Sequence, residues 1–178
     1  KIQSQQYLLF LATLEPRKNI EGIIDAFALA SSEIPEYKLV IAGKKGWLFK
    51  NIFEKVRKYG LEEKVIFTDF INEEEKHILF KNAHLFLFPS FCEGFGLPII
   101  EAKNYSIPII TSSVSSMPEI IKDAAILINP HNTNDLARAI VKLTKSHFLR
   151  SVFKSKMKGV PETSWRECAL QTLDILLS

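Results

Sequence analysis

The stretch AHLFLFPSFCEGFGLPIIEA, residues 83–102, changes character twice. An apolar run ends at Pro89, a loop follows with two glycines around a phenylalanine, and Pro98 then opens an apolar segment. The first run is continuous rather than alternating, the pattern of a strand buried on both faces of a parallel sheet. Pro98 suits the first turn of a helix, where a missing N–H costs little. Gly94 and Gly96 permit positive φ and a close backbone approach to a ligand. A helix N-terminus behind such a turn aims its N–H groups outward and makes a ready anion site. The same stretch sets two glutamates around the turn, Glu93 just before the helix and Glu101 in its first turn.

Working outward, the pattern repeats. Further apolar runs lie at 7–12 (YLLFLA), 38–43 (KLVIAG), 65–70 (VIFTDF), 107–112 (IPIITS) and 124–130 (AAILINP). Helical periodicity fills the gaps. Ile20, Ile23, Ile24, Phe27 and Ala28 share one face, with Asn19 placed as their N-cap. Asn72 with Glu75, and Ser164 with Glu167, read as capping boxes. The last helix carries Trp165, Ala169 and Leu173 on one stripe. Six strands alternating with helices predict one Rossmann-like, doubly wound α/β domain over residues 1–178. Ligands of such sheets bind at the carboxyl ends of the strands, so the loops after Ala12, Gly43, Phe70, Pro89 and Ser112 are the ones to inspect.

Composition narrows the function. Of the 178 residues, 47% are hydrophobic and 24% charged, with a net charge of +3, too mild and too scattered for a nucleic-acid surface. Two cysteines, Cys92 and Cys168, form neither a disulfide framework nor a metal motif, which fits a reducing compartment. The four histidines are dispersed, so no metal site is expected. Neither a dinucleotide fingerprint nor a P-loop is present. The chain opens at Lys1 without a methionine, and strand-like sequence starts at Tyr7, which leads us to expect a piece of a longer protein.

Two loops remain. Phosphate held by backbone N–H groups, with hydroxyls held by Glu93 and Glu101, is the layout of a nucleotide sugar. Taken singly, Glu101 would read as a partner of the helix dipole, Glu93 as a solvated loop residue and Phe95 as an apolar plug under the turn. The loop TLEPRKN after the first strand puts Arg17 and Lys18 at the same sheet edge. Cations there would neutralise a leaving diphosphate, although a surface basic pair is the plainer reading of that loop alone.

These stretches, with KLVIAGKKGW, IPIITSSVSSMPEI and DAAILINP, resemble the retaining glycosyltransferases of the GT-B fold, family four (group one), and in particular their C-terminal donor-binding domain. TLEPRKN and GKKGW look most like bacterial mannosyltransferase-like members. The resemblance implies that Glu101 binds the donor ribose and Glu93 the transferred sugar. It implies that Gly94, Phe95, Gly96 and Leu97 hold the diphosphate, and that Lys18, with Arg17 beside it, stabilises the departing phosphate. Phe70 and Ile71 would present backbone to the base. No metal or cofactor is required, and the favoured donor is GDP-mannose. The parent would be a bacterial enzyme of polysaccharide biosynthesis that uses a glycan or lipid-linked acceptor. It would be cytoplasmic or peripheral to the inner face of the membrane. The acceptor-binding N-terminal domain has no counterpart here, so the chain alone is expected to be inactive. The family commonly has glycine where this chain has Ala12, Asp69 and Ser106. A non-catalytic nucleotide-sugar-binding module is the alternative.

Overall fold

The computed structural model describes residues 6–47, 50–160 and 164–177. All six expected strands form: β1 (Tyr7–Leu11), β2 (Lys38–Ala42), β3 (Val65–Asp69), β4 (Leu85–Phe88), β5 (Ile109–Ser112) and β6 (Ile126–Ile128). The helices are α1 (Ile20–Ala30), α2 (Lys50–Lys58), α3 (Glu73–Asn82), α4 (Leu97–Asn104), α5 (Met117–Ile121), α6 (Thr133–Lys145), α7 (His147–Met157) and α8 (Trp165–Leu177). Successive strand residues point to opposite faces, and Leu8, Leu9 and Phe10 are all fully buried, as are Leu85 to Phe88. Both faces of the sheet are therefore covered by helices. On the β4 face, Phe88 stacks on Phe10 and on Phe86, and Phe86 meets Phe80 of α3.

The sheet is wholly parallel, in the order β3-β2-β1-β4-β5-β6. The chain moves outward from β1 to β3, then returns to place β4 on the other side of β1, in register Leu8↔Leu85 and Leu9↔Phe86. That reversal opens a crevice at the carboxyl ends of β1 and β4, where sheets of this kind bind ligands. No helix of the described residues is long and apolar enough to cross a membrane.

The local signals hold in part. Asn72 and Glu75 form a complete capping box on α3, at 2.8 and 2.9 Å. Ser164 accepts from the Glu167 amide at 3.0 Å. The stripe on α8 stays uncovered, with Leu170, Leu173, Ile175, Leu176 and Leu177 exposed; the Trp165 side chain lies outside the described residues.

Asn19 departs from expectation. It occupies the N-cap position of α1, but in the left-handed region (φ 56°) and with no side-chain capping bond. Its buried amide instead donates to the carbonyls of Pro89 and Pro130, at 3.1 and 2.8 Å. Asparagine tolerates this backbone conformation better than most residues, and here it ties the loops after β1, β4 and β6 together. Replacing it with alanine removes both bonds and leaves at positive φ a residue without the polar side chain that eases this conformation. Asn19→Ala should cost about 2–4 kcal/mol of stability, and Asn19→Gly about 1 kcal/mol less. Denaturant midpoints at constant slope measure both.

Candidate functional site

The crevice is closed by charge. A short 3₁₀ turn, Pro16–Lys18, follows β1 and turns Lys18 inward. The Lys18 ammonium lies 2.6 Å from Glu93 Oε1, with the two side chains only 8% and 7% exposed. It also sits 4.9 Å from the centre of the Phe88 ring, a favourable position for a cation. Arg17 reaches the other carboxylate oxygen, Glu93 Oε2, at 2.8 Å and pairs with Glu15 at 2.9 Å. Partial burial pulls Arg17 down, but the hydrogen bonds and charges of Glu93 and Glu15 outweigh it and hold the guanidinium above its ordinary pKa.

Backbone bonds knit the two loops. Phe91 N donates to Arg17 O at 2.8 Å, and Arg17 Nη1 approaches Cys92 O at 3.4 Å. The loop after β5 braces Glu93 from behind. Its amide donates to Ser115 Oγ at 3.1 Å, and the hydroxyls of Ser115 and Ser116 donate to its carbonyl, at 2.5 and 3.3 Å. SSVSS reads as a plain polar loop in sequence. Its one signal is a run of hydroxyls directly after a strand.

Beyond Glu93 the chain enters α4 through Gly96, at φ 78°. A Cβ there would lie 2.7 Å from Met117 Cε. The amides of Gly94, Phe95 and Gly96 donate to no acceptor among the described residues. Pro98 falls in the first turn of the helix as expected. Two expectations fail here. Phe95 is not a plug under the turn: it is 45% exposed, and Leu97 beside it is exposed as well. Glu101 is the fifth residue of α4 rather than part of its first turn, because the helix starts only at Leu97. It contacts Lys76 of α3, Nζ to Oε1 at 2.9 Å, and Lys76 also pairs with Glu73 at 2.8 Å. Lys76 carries no motif, and sequence reasoning passed over it.

The loop after β3 lies further along the same edge. Phe70 is exposed, with the Lys44 ammonium 4.6 Å from its ring centre, and its amide donates to Asp69 Oδ1 at 3.0 Å; Ile71 is partly buried beside it. Asp69 and Ser106 both have positive φ, 60° and 53°, a conformation that glycine adopts most readily. Ala12 does not share that conformation.

The structure thus brings Arg17, Lys18, Glu93 and the Gly94–Gly96 turn together, with Glu101 on the following helix. A doubly wound domain carrying such a cluster at its switch point is a ligand-binding α/β domain. The chain belongs to the family described as Glycosyl transferases group 1, whose sequence model matches residues 1–159. It is 31% identical over 172 residues to O-antigen chain mannosyltransferase B of Escherichia coli, covering 96% of this chain and 45% of that one. Among solved structures, the C-terminal domain of a group 1 glycosyl transferase (LpcC) from Francisella tularensis superposes with a TM-score of 0.79 at 23% identity, over 88% of this chain and 84% of that one. Anabaena HepE, solved with UDP and glucose, gives a TM-score of 0.79 at 20% identity, over 88% and 43%. The fold is that of a GT-B C-terminal domain.

A buried ion pair is hard to break from one side. Glu93→Gln leaves the Lys18 ammonium buried without its counter-charge and is expected to lower stability by about 3–5 kcal/mol. The double variant Lys18→Met/Glu93→Leu, which removes both charges, should recover most of that loss in the same equilibrium denaturation experiment.

Proposed function

We propose that this chain is the donor-binding half of a retaining glycosyltransferase that moves a hexose, mannose by preference, from a nucleoside-diphosphate sugar to a glycan or lipid-linked acceptor hydroxyl. The observation that carries the reading is the buried Lys18–Glu93 pair beside the unengaged amides of Gly94, Phe95 and Gly96. Those amides point to a ligand with acceptor oxygens, as a diphosphate has. An ammonium has three N–H donors, and Glu93 engages only part of that capacity. Lys18 can therefore hold phosphate oxygen without giving up Glu93.

The roles follow from position. The amides of the turn, with Leu97, receive the diphosphate. Lys18, supported by Arg17, stabilises the negative charge that grows on it as the glycosidic bond breaks. Glu93, held between Lys18 and Arg17, accepts hydrogen bonds from hydroxyls of the transferred sugar. Glu101 takes the ribose, and the Phe70–Ile71 loop faces the base. Cations and amides supply the charge stabilisation, so the reaction needs no metal or other cofactor. Mannose is favoured because the relative from E. coli is named a mannosyltransferase, and GDP-mannose is the donor we infer.

The chain spans 45% of the length of that relative. In the proposal a separate N-terminal domain supplies the acceptor site, and the enzyme works on the cytoplasmic side, peripheral to the membrane.

A ligand that binds only the folded state raises the melting temperature. The purified chain should be stabilised by GDP and GDP-mannose more than by UDP or ADP-glucose, and should form no glycosylated product alone. No shift with any nucleotide, or turnover by these residues alone, would overturn the reading. In the full-length protein, Lys18→Ala should lower kcat about a hundredfold, with a much smaller rise in KM, because its charge matters most in the transition state. Arg17→Ala should cost less. Steady-state kinetics well below each variant's melting temperature separates the two.

A further inference from the structure

We propose that Lys76 is a positioning residue for the nucleoside end of the donor, holding the Glu101 carboxylate in the orientation that receives the ribose hydroxyls. The inference rests on the donor-site reading above and deepens it.

Three observations carry it. Lys76 is clamped at both sides, 2.8 Å from Glu73 Oε2 and 2.9 Å from Glu101 Oε1, and its side chain is only 23% exposed. The hydrogen bonds that it donates to Glu73 and then to Glu101 raise its pKa above the ordinary lysine value, so the ammonium stays charged. Second, Glu101 is at the edge of solvent, with its side chain 36% exposed, and Lys76 engages Oε1 only. Oε2 has no partner among the described residues. A carboxylate accepts at about four lone-pair sites, so ample capacity remains for two adjacent hydroxyls.

Third, Lys76 is itself firmly placed. The Asn72–Glu75 capping box fixes the first turn of α3, and the Lys76 amide donates to Asn72 O at 2.9 Å. That turn begins directly after Phe70 and Ile71. Lys76 thus links the loop proposed to face the base with the carboxylate proposed to face the ribose. Unclamped, Glu101 would sample several rotamers on a helix surface and lose them on binding. The clamp removes that cost in advance, which is preorganisation rather than a new contact.

A ribose-specific test separates this from direct contact between Lys76 and the nucleotide. Calorimetry would compare GDP with 2′,3′-dideoxy-GDP on the wild-type chain, Lys76→Met, Lys76→Arg, Glu101→Gln and the double variant Lys76→Met/Glu101→Gln. Lys76→Met should weaken GDP binding about three- to tenfold, the range for losing one supporting hydrogen bond. Lys76→Arg should restore most of the affinity. Glu101→Gln should lose at least as much as Lys76→Met, with the double variant no worse than Glu101→Gln. On the dideoxy nucleotide all variants should match the wild type.

Unchanged GDP affinity in Lys76→Met overturns the inference. So does an equal loss on the dideoxy nucleotide, which would mean that Lys76 touches base or phosphate itself. Additive losses in the double variant overturn it as well. If instead Glu101→Gln leaves GDP affinity intact, the ribose assignment of Glu101 fails first, a result distinct from the others.

Discussion

Everything at the carboxyl edge of this sheet is arranged around one buried ion pair. Two charges less than a tenth exposed are costly to remove from water, and their attraction offsets that only with good geometry and further hydrogen bonds. Those supports are present. Arg17 takes the second oxygen of Glu93, Ser115 and Ser116 hold its backbone, and the Phe88 ring lies under the Lys18 ammonium. Asn19 then draws the loops after β1, β4 and β6 to one another. The pair sits where strand order reverses, so the crevice and its charge have one location.

The two glutamates of the opening stretch both meet cations, in different settings. Glu93 is sealed between a lysine and an arginine from the loop after β1. Glu101 is half open to solvent and meets a single lysine from α3. The sealed carboxylate is fixed in place and acts as an acceptor only. The open one keeps an oxygen available outward. The two carboxylates thus differ in exposure, while each is held in place by the cations it meets.

Much of this was legible in sequence because strand burial and helix period are local. The six apolar runs became the six strands, and Pro98, Gly96, Asn72 and Glu75 took the local places that their side-chain chemistry favours. What was not legible depends on contacts between loops distant in the chain. Asn19 looked like an ordinary helix cap, yet its amide goes to carbonyls far along the chain. Phe95 looked like a plug because it is apolar, but the glycines on either side let the turn carry it outward. Ser115 and Lys76 have common residue types and no motif. Only their placement against Glu93 and Glu101 gives them meaning. Positive φ at Asp69 and Ser106 likewise has no signature in the side-chain pattern.

Lys18 and Glu93 are 75 positions apart in the chain, and this separation bears on how the protein folds. The β1–β4 pairing that brings them together joins distant segments, so it adds to contact order and slows folding. During synthesis β1, β2 and β3 emerge first and can pair with one another, leaving the far edge of β1 unsatisfied until β4 arrives. An open apolar edge of that kind invites pairing with another nascent chain. The same step that closes the edge also withdraws both charges from water. The crevice charge and the central strand pairing thus form in a single event, and the open edge passes outward to β4 until β5 and β6 follow.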